Sequence, residues 1–269
     1  MTWWCAASNE PWSWVWRAYP GVWVFVALLA AWGAAALKGN FAREAARPGS
    51  DAPARRAGRV AAYGCGVLFC WMALDWPLGR LGGGYLLAAH TAQYVLLTFF
   101  AAPLLLLGLR RRPGDGAGLP GVHPLLSLVV YNGLLAATHV PALVDAMMRT
   151  QWGSAIVDLA WLVGGIALWW PALHPDPERR LAPPLRMGYL FASTLAPTIP
   201  AALLMFGDYP YYGVYELAPR ALGLSAQQDQ QLAGLIMKVI GDPLIWFSTA
   251  FIFFRWQARL ERDEREEES

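Results

Sequence analysis

The sequence predicts an all-α fold, an integral membrane bundle of seven helices with its N-terminus outside and its C-terminus in the cytoplasm. Three observations support this prediction. The 269 residues are 57% hydrophobic and only 15% charged, a balance that is typical of membrane proteins. Seven apolar segments are long enough, or nearly so, to cross a hydrocarbon core. Positive residues are concentrated in alternate loops between those segments.

The apolar segments divide nearly the whole chain. They are predicted at residues 20–38, 58–76, 85–109, 123–141, 154–173, 185–206 and 231–254. At a rise of about 1.5 Å per residue, each approaches the thickness of the hydrocarbon core. The second is taken from a short continuous apolar run, Val60 to Leu74.

Charge between the segments predicts the orientation. Sixteen Lys and Arg residues lie in the loops after the first, third and fifth segments and in the C-terminal tail. Four lie on the opposite side: Arg17, Arg80, Arg149 and Arg220. The positive-inside rule places the crowded side in the cytoplasm, so the N-terminus is expected outside.

Three regions follow from this topology. Residues 1–19 form a Trp-rich outer segment, expected to anchor at the membrane interface. Residues 20–254 form the membrane domain, with a predicted cytoplasmic loop at 47–59 and a flexible outer turn at the glycines 82–84. Residues 255–269 form a charged cytoplasmic tail in which Arg and Glu alternate, and this pattern predicts a solvated extension of the last helix.

Several functional classes have no support in the sequence. No H-E-x-x-H motif or Ser–His–Asp arrangement is present, and the histidines fall at opposite membrane faces, so an enzyme is not predicted. The basic residues lie at membrane ends, where topology explains them, so nucleic-acid binding is not predicted either. No cleavable signal peptide is expected, because the start of the chain is not basic.

Polar and sulfur-containing side chains recur at one depth. A polar residue inside a span is costly and calls for a reason. His90 lies about 7 Å below the outer end of the third segment, and His139 lies at the outer end of the fourth. Met205, Met237 and Asp75 are predicted near the outer ends of the sixth, seventh and second segments.

This common depth suggests a metal site near the outer face. Imidazole and thioether are soft or borderline donors, and thioether favours Cu(I). The candidate ligands are His90, His139, Met237 and Met205. Depth does not fix the direction of a side chain around its helix, so a second interpretation stays open, in which the methionines pack and the histidines bond neighbouring helices.

A second set of residues is expected to support such a site. Gln93 and Tyr94 share a helical face with His90, and Gln230 lies on one stripe with Met237. Asp229, near the start of the seventh helix, is favoured there by the helix dipole and is a candidate N-cap. The supporting residues are therefore Tyr94, Gln93, Asp229, Gln230 and Asp75.

Lys238 and Asp242 are spaced as an i,i+4 pair inside the seventh segment. Either the two charges neutralise each other, or the long side chain of Lys238 extends outward to the membrane surface. A lysine in the last of seven spans also raises the alternative of a retinal protein. The third segment has no Asp or Glu to act as a counter-ion, which argues against this alternative.

Four stretches carry a family resemblance. They are AHTAQYVLLTFFAAPLLLLG around His90, the segment Trp161 to Pro171 ending in LWWP, GYLFAS after Arg186, and DQQLAGLIM from Asp229 to Met237. Together they resemble the CtaG family, the assembly factor of bacterial caa-type cytochrome c oxidase. The likeness covers nearly the whole chain.

The resemblance implies a seven-span protein of the bacterial plasma membrane that supports copper supply to the catalytic subunit of the oxidase. The expected partners are oxidase subunits, a periplasmic copper chaperone and the lipid bilayer, and homo-oligomerisation stays open. Members commonly carry a second His four residues after the first, where this chain has Tyr94. Tyr is a poor Cu(I) ligand, so a metal-free scaffold that holds oxidase subunits is the alternative to a Cu(I)-binding assembly factor.

Overall fold

The computed structural model describes residues 2–45, 53–111 and 120–267. Within these ranges the chain is helical and contains no strand. Six helices are long and apolar enough to cross a membrane, and a bent pair makes seven if it counts as one span. This confirms the all-α membrane fold. Part of the predicted 47–59 loop and Arg112, one of the counted basic residues, lie outside the described residues.

Thirteen helices follow one another along the described parts of the chain. They are α1 Pro20–Ala45, α2 Pro53–Leu74, α3 Leu78–Gly84, α4 Leu87–Val95, α5 Ala102–Gly108, α6 Pro124–Ala137, α7 Pro141–Met148, α8 Gln151–Leu173, α9 Pro183–Ser193, α10 Thr198–Phe206, α11 Gly213–Glu216, α12 Ala226–Ile236 and α13 Asp242–Glu267. Two π-helical turns complete the third and seventh spans: Leu96–Ala101 joins α4 to α5, and Met237–Gly241 joins α12 to α13.

Local chemistry explains where several helices begin. Thr150 caps α8 by accepting a hydrogen bond from the N–H of Gly153 at 3.0 Å, and Ser225 and Gln228 form a capping box at α12. Proline opens α6 and α7, where its missing N–H has no cost. The axes of α6 and α7 differ by 74°, so the fourth span turns sharply just after Ala137.

The third span, α4 and α5 with the turn between them, is the centre of the bundle. Two thirds of its most apolar stretch is buried, 67% against 17% for α1. Helices α2, α8 and α12 contact the third span, and α1 packs on the outside of α2. Side chains of the third span therefore face protein on most sides, which is the setting a buried site requires.

Two sequence expectations are wrong in detail. Helix α2 begins at Pro53, so the later part of the predicted 47–59 loop, including Arg55, Arg56 and Arg59, is helical. The glycines 82–84 lie in α3 and are buried, so they do not form a flexible turn. A Cβ at Gly82 would lie 1.8 Å from Oε1 of Gln93, so this glycine serves close packing.

The C-terminal tail has the predicted helical structure, whereas one tryptophan of the N-terminal segment does not have the predicted interfacial position. In the tail, α13 continues to Glu267 and Arg265 pairs with Glu261 at 3.7 Å, as the Arg–Glu pattern predicts. In the N-terminal segment, Trp14 and Trp16 are more than half exposed, but Trp4 is buried. Trp4 is therefore part of the core, and the interfacial assignment is wrong for this residue.

Candidate metal centre

The start of α4 is held by the seventh span. Leu87 and Ala88 donate their N–H groups to the carboxylate of Asp229 at 2.6 and 3.0 Å. These N–H groups have no partner within their own helix, and a carboxylate at a helix N-terminus is favoured by the dipole. Asp229 therefore caps α4, one turn before His90, and not α12, whose cap is Ser225.

His90 is enclosed by aromatic rings. Its ring centroid lies 4.3 Å from that of Trp161 and 5.6 Å from that of Tyr215. The side chain is buried, and neither ring nitrogen makes a hydrogen bond of ordinary geometry with a described residue. Buried polar atoms almost always have partners, so two unpartnered nitrogens on one ring mark this imidazole as a candidate ligand.

His139 lies at the break between α6 and α7, with one ring nitrogen already in use. Nδ1 is 2.8 Å from the carbonyl oxygen of Leu135, and this contact favours the tautomer with the proton on Nδ1. The lone pair of Nε2 is then available. Metal-binding histidines commonly have this arrangement, in which one nitrogen donates to a carbonyl and the other binds the metal.

The two histidines line the same small cavity, which has a volume of about 10 Å³. This is about the space that one water molecule or a bare ion needs. The other polar or aromatic residues around the cavity are Thr91, Tyr94, Thr138, Trp161 and Tyr212. The structure thus brings together the two residues that the sequence could place only at a common depth.

The two candidate thioethers do not line this cavity. The Cγ of Met205 packs over Gly234, 2.7 Å from where a Cβ would stand. Met237 is buried at the start of the second π-helical turn. In the described part of the chain there is also no group of three or more His, Cys, Asp or Glu residues placed to hold a metal. Of the four candidate ligands, only the two imidazoles therefore line the cavity.

Three of the predicted supporting residues have hydrogen bonds that fix neighbouring elements. The hydroxyl of Tyr94 bonds that of Tyr131 at 2.9 Å, and Gln93 donates to the carbonyl of Ala73 at 2.9 Å. Gln230 binds the outer loop at two points, accepting from the N–H of Tyr211 at 2.7 Å and donating to the carbonyl of Tyr209 at 3.1 Å.

Asp75 stands apart from the cavity. It follows α2 and is buried, and neither carboxylate oxygen has a hydrogen bond of ordinary geometry with a described residue. Its common depth with His90 and His139 therefore does not bring it to the same site.

Lys238 is fully engaged. Its Nζ forms an ion pair with Asp242 and donates to Oγ1 of Thr198 at 2.9 Å. Of the two alternatives, mutual neutralisation is therefore confirmed.

Asp158 is a buried residue that the sequence reasoning missed. Its Oδ2 accepts the indole N–H of Trp4 at 2.7 Å, and its Oδ1 has no partner among the described residues. The signal was available, because Asp158 is the only acidic residue in the predicted fifth span and an acid inside a membrane calls for a partner.

The fold and the cavity define a class: a polytopic helical membrane protein in which two imidazoles, one buried and one partly buried, line one small cavity. The family model described as cytochrome c oxidase caa3 assembly factor (Caa3_CtaG) matches residues 40–114 and 120–259. The chain therefore belongs to this family of oxidase assembly factors.

The chain is also similar, at less than 30% identity, to three curated proteins. Uncharacterized proteins of Mycobacterium bovis and Mycobacterium tuberculosis are each 29% identical over 159 residues, and one of Mycobacterium leprae is 27% identical over 138 residues. The aligned stretches cover 47%, 47% and 42% of this chain but only 24%, 24% and 21% of the relatives. The chain thus spans about a quarter of their length. No solved structure matches the chain.

Proposed function

We propose that this protein assists assembly of a haem-copper cytochrome c oxidase by binding Cu(I) between His90 and His139 and supporting its insertion into the catalytic subunit. In this proposal the chain is not an enzyme. It lies in the bacterial plasma membrane with its N-terminus outside, so the two histidines are near the outer face. Its partners are oxidase subunits and a periplasmic copper chaperone.

One observation carries the proposal. His90 and His139 line one cavity. Neither ring nitrogen of His90 makes a hydrogen bond of ordinary geometry with a described residue, and the contact of His139 Nδ1 with Leu135 frees Nε2. Neutral imidazole is a suitable donor for copper. Two neutral ligands leave a single positive charge on the ion, which is less costly to hold in a core than a divalent charge.

The residues around the cavity also favour reversible binding of Cu(I), which transfer to the oxidase requires. Met205 and Met237 do not line the cavity, and Tyr94, at the position of the family's second His, is bonded to Tyr131. A site with two protein donors keeps positions open for an incoming ligand. Transfer would then proceed by ligand exchange, with no change in the oxidation state of the copper.

A second candidate function is a metal-free scaffold that holds oxidase subunits. Its supporting observation is the small donor set, since no cluster of three or more His, Cys, Asp or Glu is present in the described residues. In this case the aromatic outer loop around Tyr209, whose side chain is exposed, would be the surface for a subunit.

Copper content distinguishes the two candidates. Purified protein is loaded with Cu(I) under reducing conditions, washed and analysed for metal, as wild type and as His90→Ala and His139→Ala. The proposal predicts about one copper per chain for the wild type and its loss in each variant. His123→Ala is the matched control, because His123 is exposed and caps α6. Copper no higher than in an unrelated membrane protein would contradict copper binding and leave the scaffold.

A further inference from the structure

The arginine-rich end of the bundle contains a cavity of about 330 Å³ between the third, fifth, sixth and seventh spans. Small-molecule sites begin at about this size, roughly 300 Å³. Five arginines line its mouth, from four different parts of the chain: Arg110, Arg180, Arg186, Arg255 and Arg259. No carboxylate lines the cavity among the described residues, so its mouth is strongly positive.

The interior of this cavity is apolar. Phe99 and Trp169 line it on the side of the bundle core, and Phe251 and Ile252 of α13 form its outer wall. Phe99 and Trp169 lie deeper in the third and fifth spans than the arginines, so the cavity has a basic mouth and an apolar inner end. A ligand that fits both ends has an anionic head and a hydrocarbon chain.

Two of the arginines are held in place by backbone carbonyls. Arg180 donates from Nε to the carbonyl of His174 at 2.6 Å, and Arg186 donates to the carbonyl of Leu181 at 2.9 Å. The Nε of Arg186 is buried without a partner among the described residues. These guanidinium groups are therefore positioned before any ligand arrives, which lowers the ordering cost of binding.

The arginines are close enough to repel one another. Burial lowers the pKa of Arg180 to about 10, and neighbouring Arg110 and Arg186 lower it too, against the opposite effect of Asp176. Burial and neighbouring Arg255 likewise lower the pKa of Arg110. All of these groups remain charged at neutral pH, so an anion bound among them would relieve the repulsion.

A second basic cavity adjoins the first. It has a volume of about 510 Å³ and shares Leu107, Arg110 and Arg180 with it. Its only acidic lining residue in the described chain is Glu44, which is paired with Arg59 at 2.6 Å. Positive charge thus continues from the mouth of the first cavity towards α2.

We propose that this cavity binds one anionic phospholipid, with the phosphate among Arg110, Arg180 and Arg186 and an acyl chain against Phe99 and Trp169. Basic pockets between membrane helices commonly bind anionic headgroups. Free phosphate would satisfy the arginines but would leave the apolar end without an occupant. The two ends of the cavity together therefore favour a lipid over a soluble anion.

Retained lipid tests this proposal. The full chain is purified in a neutral detergent, exposed to equal amounts of phosphatidylglycerol and phosphatidylcholine, and analysed by native mass spectrometry. We expect selective retention of phosphatidylglycerol. Arg255 and Arg259 are exposed on α13, so the variant Arg255→Gln/Arg259→Gln is expected to fold. Its retention should fall by about fivefold for each arginine removed.

A second double variant distinguishes a lipid site in the cavity from general attraction to positive charge. Arg262→Gln/Arg265→Gln removes the same charge from the same helix outside the cavity and should retain lipid as the wild type does. Equal retention of both lipids, or equal losses in the two double variants, would overturn the proposal. Retention of inorganic phosphate with no retention of either lipid would also overturn it, because the site would then recognise a free anion.

Discussion

The carboxylate of Asp229 accepts the N–H of Leu87 at 2.6 Å, so that the seventh span holds the first turn of the helix that carries His90. The bond is buried and joins residues 142 positions apart in the sequence. Because both partners are shielded from water, removal of the carboxylate would leave two backbone donors unsatisfied. Asp229 thus connects the stability of the fold to the position of the candidate ligand.

Substitution of Asp229 therefore has two expected effects. Asp229→Ala should lower the free energy of unfolding by about 1–3 kcal/mol, whereas Asp229→Asn, which keeps an acceptor oxygen, should cost less. Copper affinity should fall by about 10- to 100-fold in Asp229→Ala, as for other residues that orient a ligand. Thermal unfolding in detergent and Cu(I) titration measure the two quantities.

Asp208→Ala is the control for this experiment, because Asp208 is an exposed aspartate in the loop after α10, outside helix α12. It should match the wild type in both measurements. If Asp229→Ala unfolded and bound copper as the wild type does, Asp229 would have no role in positioning His90.

Tyr94 offers a test of the ligand set. Its hydroxyl is bonded to Tyr131, so Tyr94→Phe should cost about 1 kcal/mol of stability and leave copper stoichiometry unchanged. Tyr94 lines the cavity, so Tyr94→His would add an imidazole there and should tighten Cu(I) binding. A competition titration with a Cu(I) chelator compares the variants, and loss of copper in Tyr94→Phe would mean that the phenol is a ligand.

The N-terminal segment is expected to contribute to stability through one indole. Trp4 donates to the buried Asp158 at 2.7 Å, so Trp4→Phe should cost about 1–3 kcal/mol by leaving that carboxylate without its partner. Trp14 is 59% exposed, and Trp14→Phe should change stability by less than about 0.5 kcal/mol. Equal melting temperatures for the two variants would show that the hydrogen bond between Trp4 and Asp158 does not contribute to stability.

The predicted orientation is open to a labelling test. Tyr209 lies on the predicted outer side and Gln257 on the predicted cytoplasmic tail, and both are exposed. In a Cys65→Ala background, which removes the exposed native thiol, a membrane-impermeant maleimide on intact cells should label Tyr209→Cys. It should label Gln257→Cys only after permeabilisation, and the reverse pattern would invert the topology.

Hydropathy and charge were sufficient to predict the all-helical membrane fold, because the bilayer imposes length and composition on each span. The details that escaped prediction depend on packing. Helix α3 contains four glycines, which are poor helix formers, and Gly82 is accommodated by its close approach to Gln93. The π-helical turns likewise have no simple pattern in the sequence, whereas the 74° bend after α6 falls at Pro141, the first residue of α7.

For the candidate site, the sequence predicted the depth of each side chain in the membrane but not the direction in which it points from its helix. Sequence position along a span gave the common depth of His90, His139, Met205 and Met237. The direction of each side chain depends on how the helices rotate against one another, and this brought the two histidines together but left both methionines away from the cavity. The sequence predicted Asp229 as the N-cap of its own helix, which is wrong, because a sequence pattern cannot show that this carboxylate caps a helix from a different span.

The most direct test of the two-histidine site is X-ray absorption at the copper K edge of the Cu(I)-loaded protein, measured on the wild type and on His139→Ala. We expect nitrogen and oxygen neighbours with an imidazole signature in the wild type, no sulfur neighbour, and loss of specific copper in the variant. A sulfur neighbour would place Met205, Met237 or a cysteine on the metal and contradict the two-histidine site. An unchanged spectrum in His139→Ala would contradict it equally.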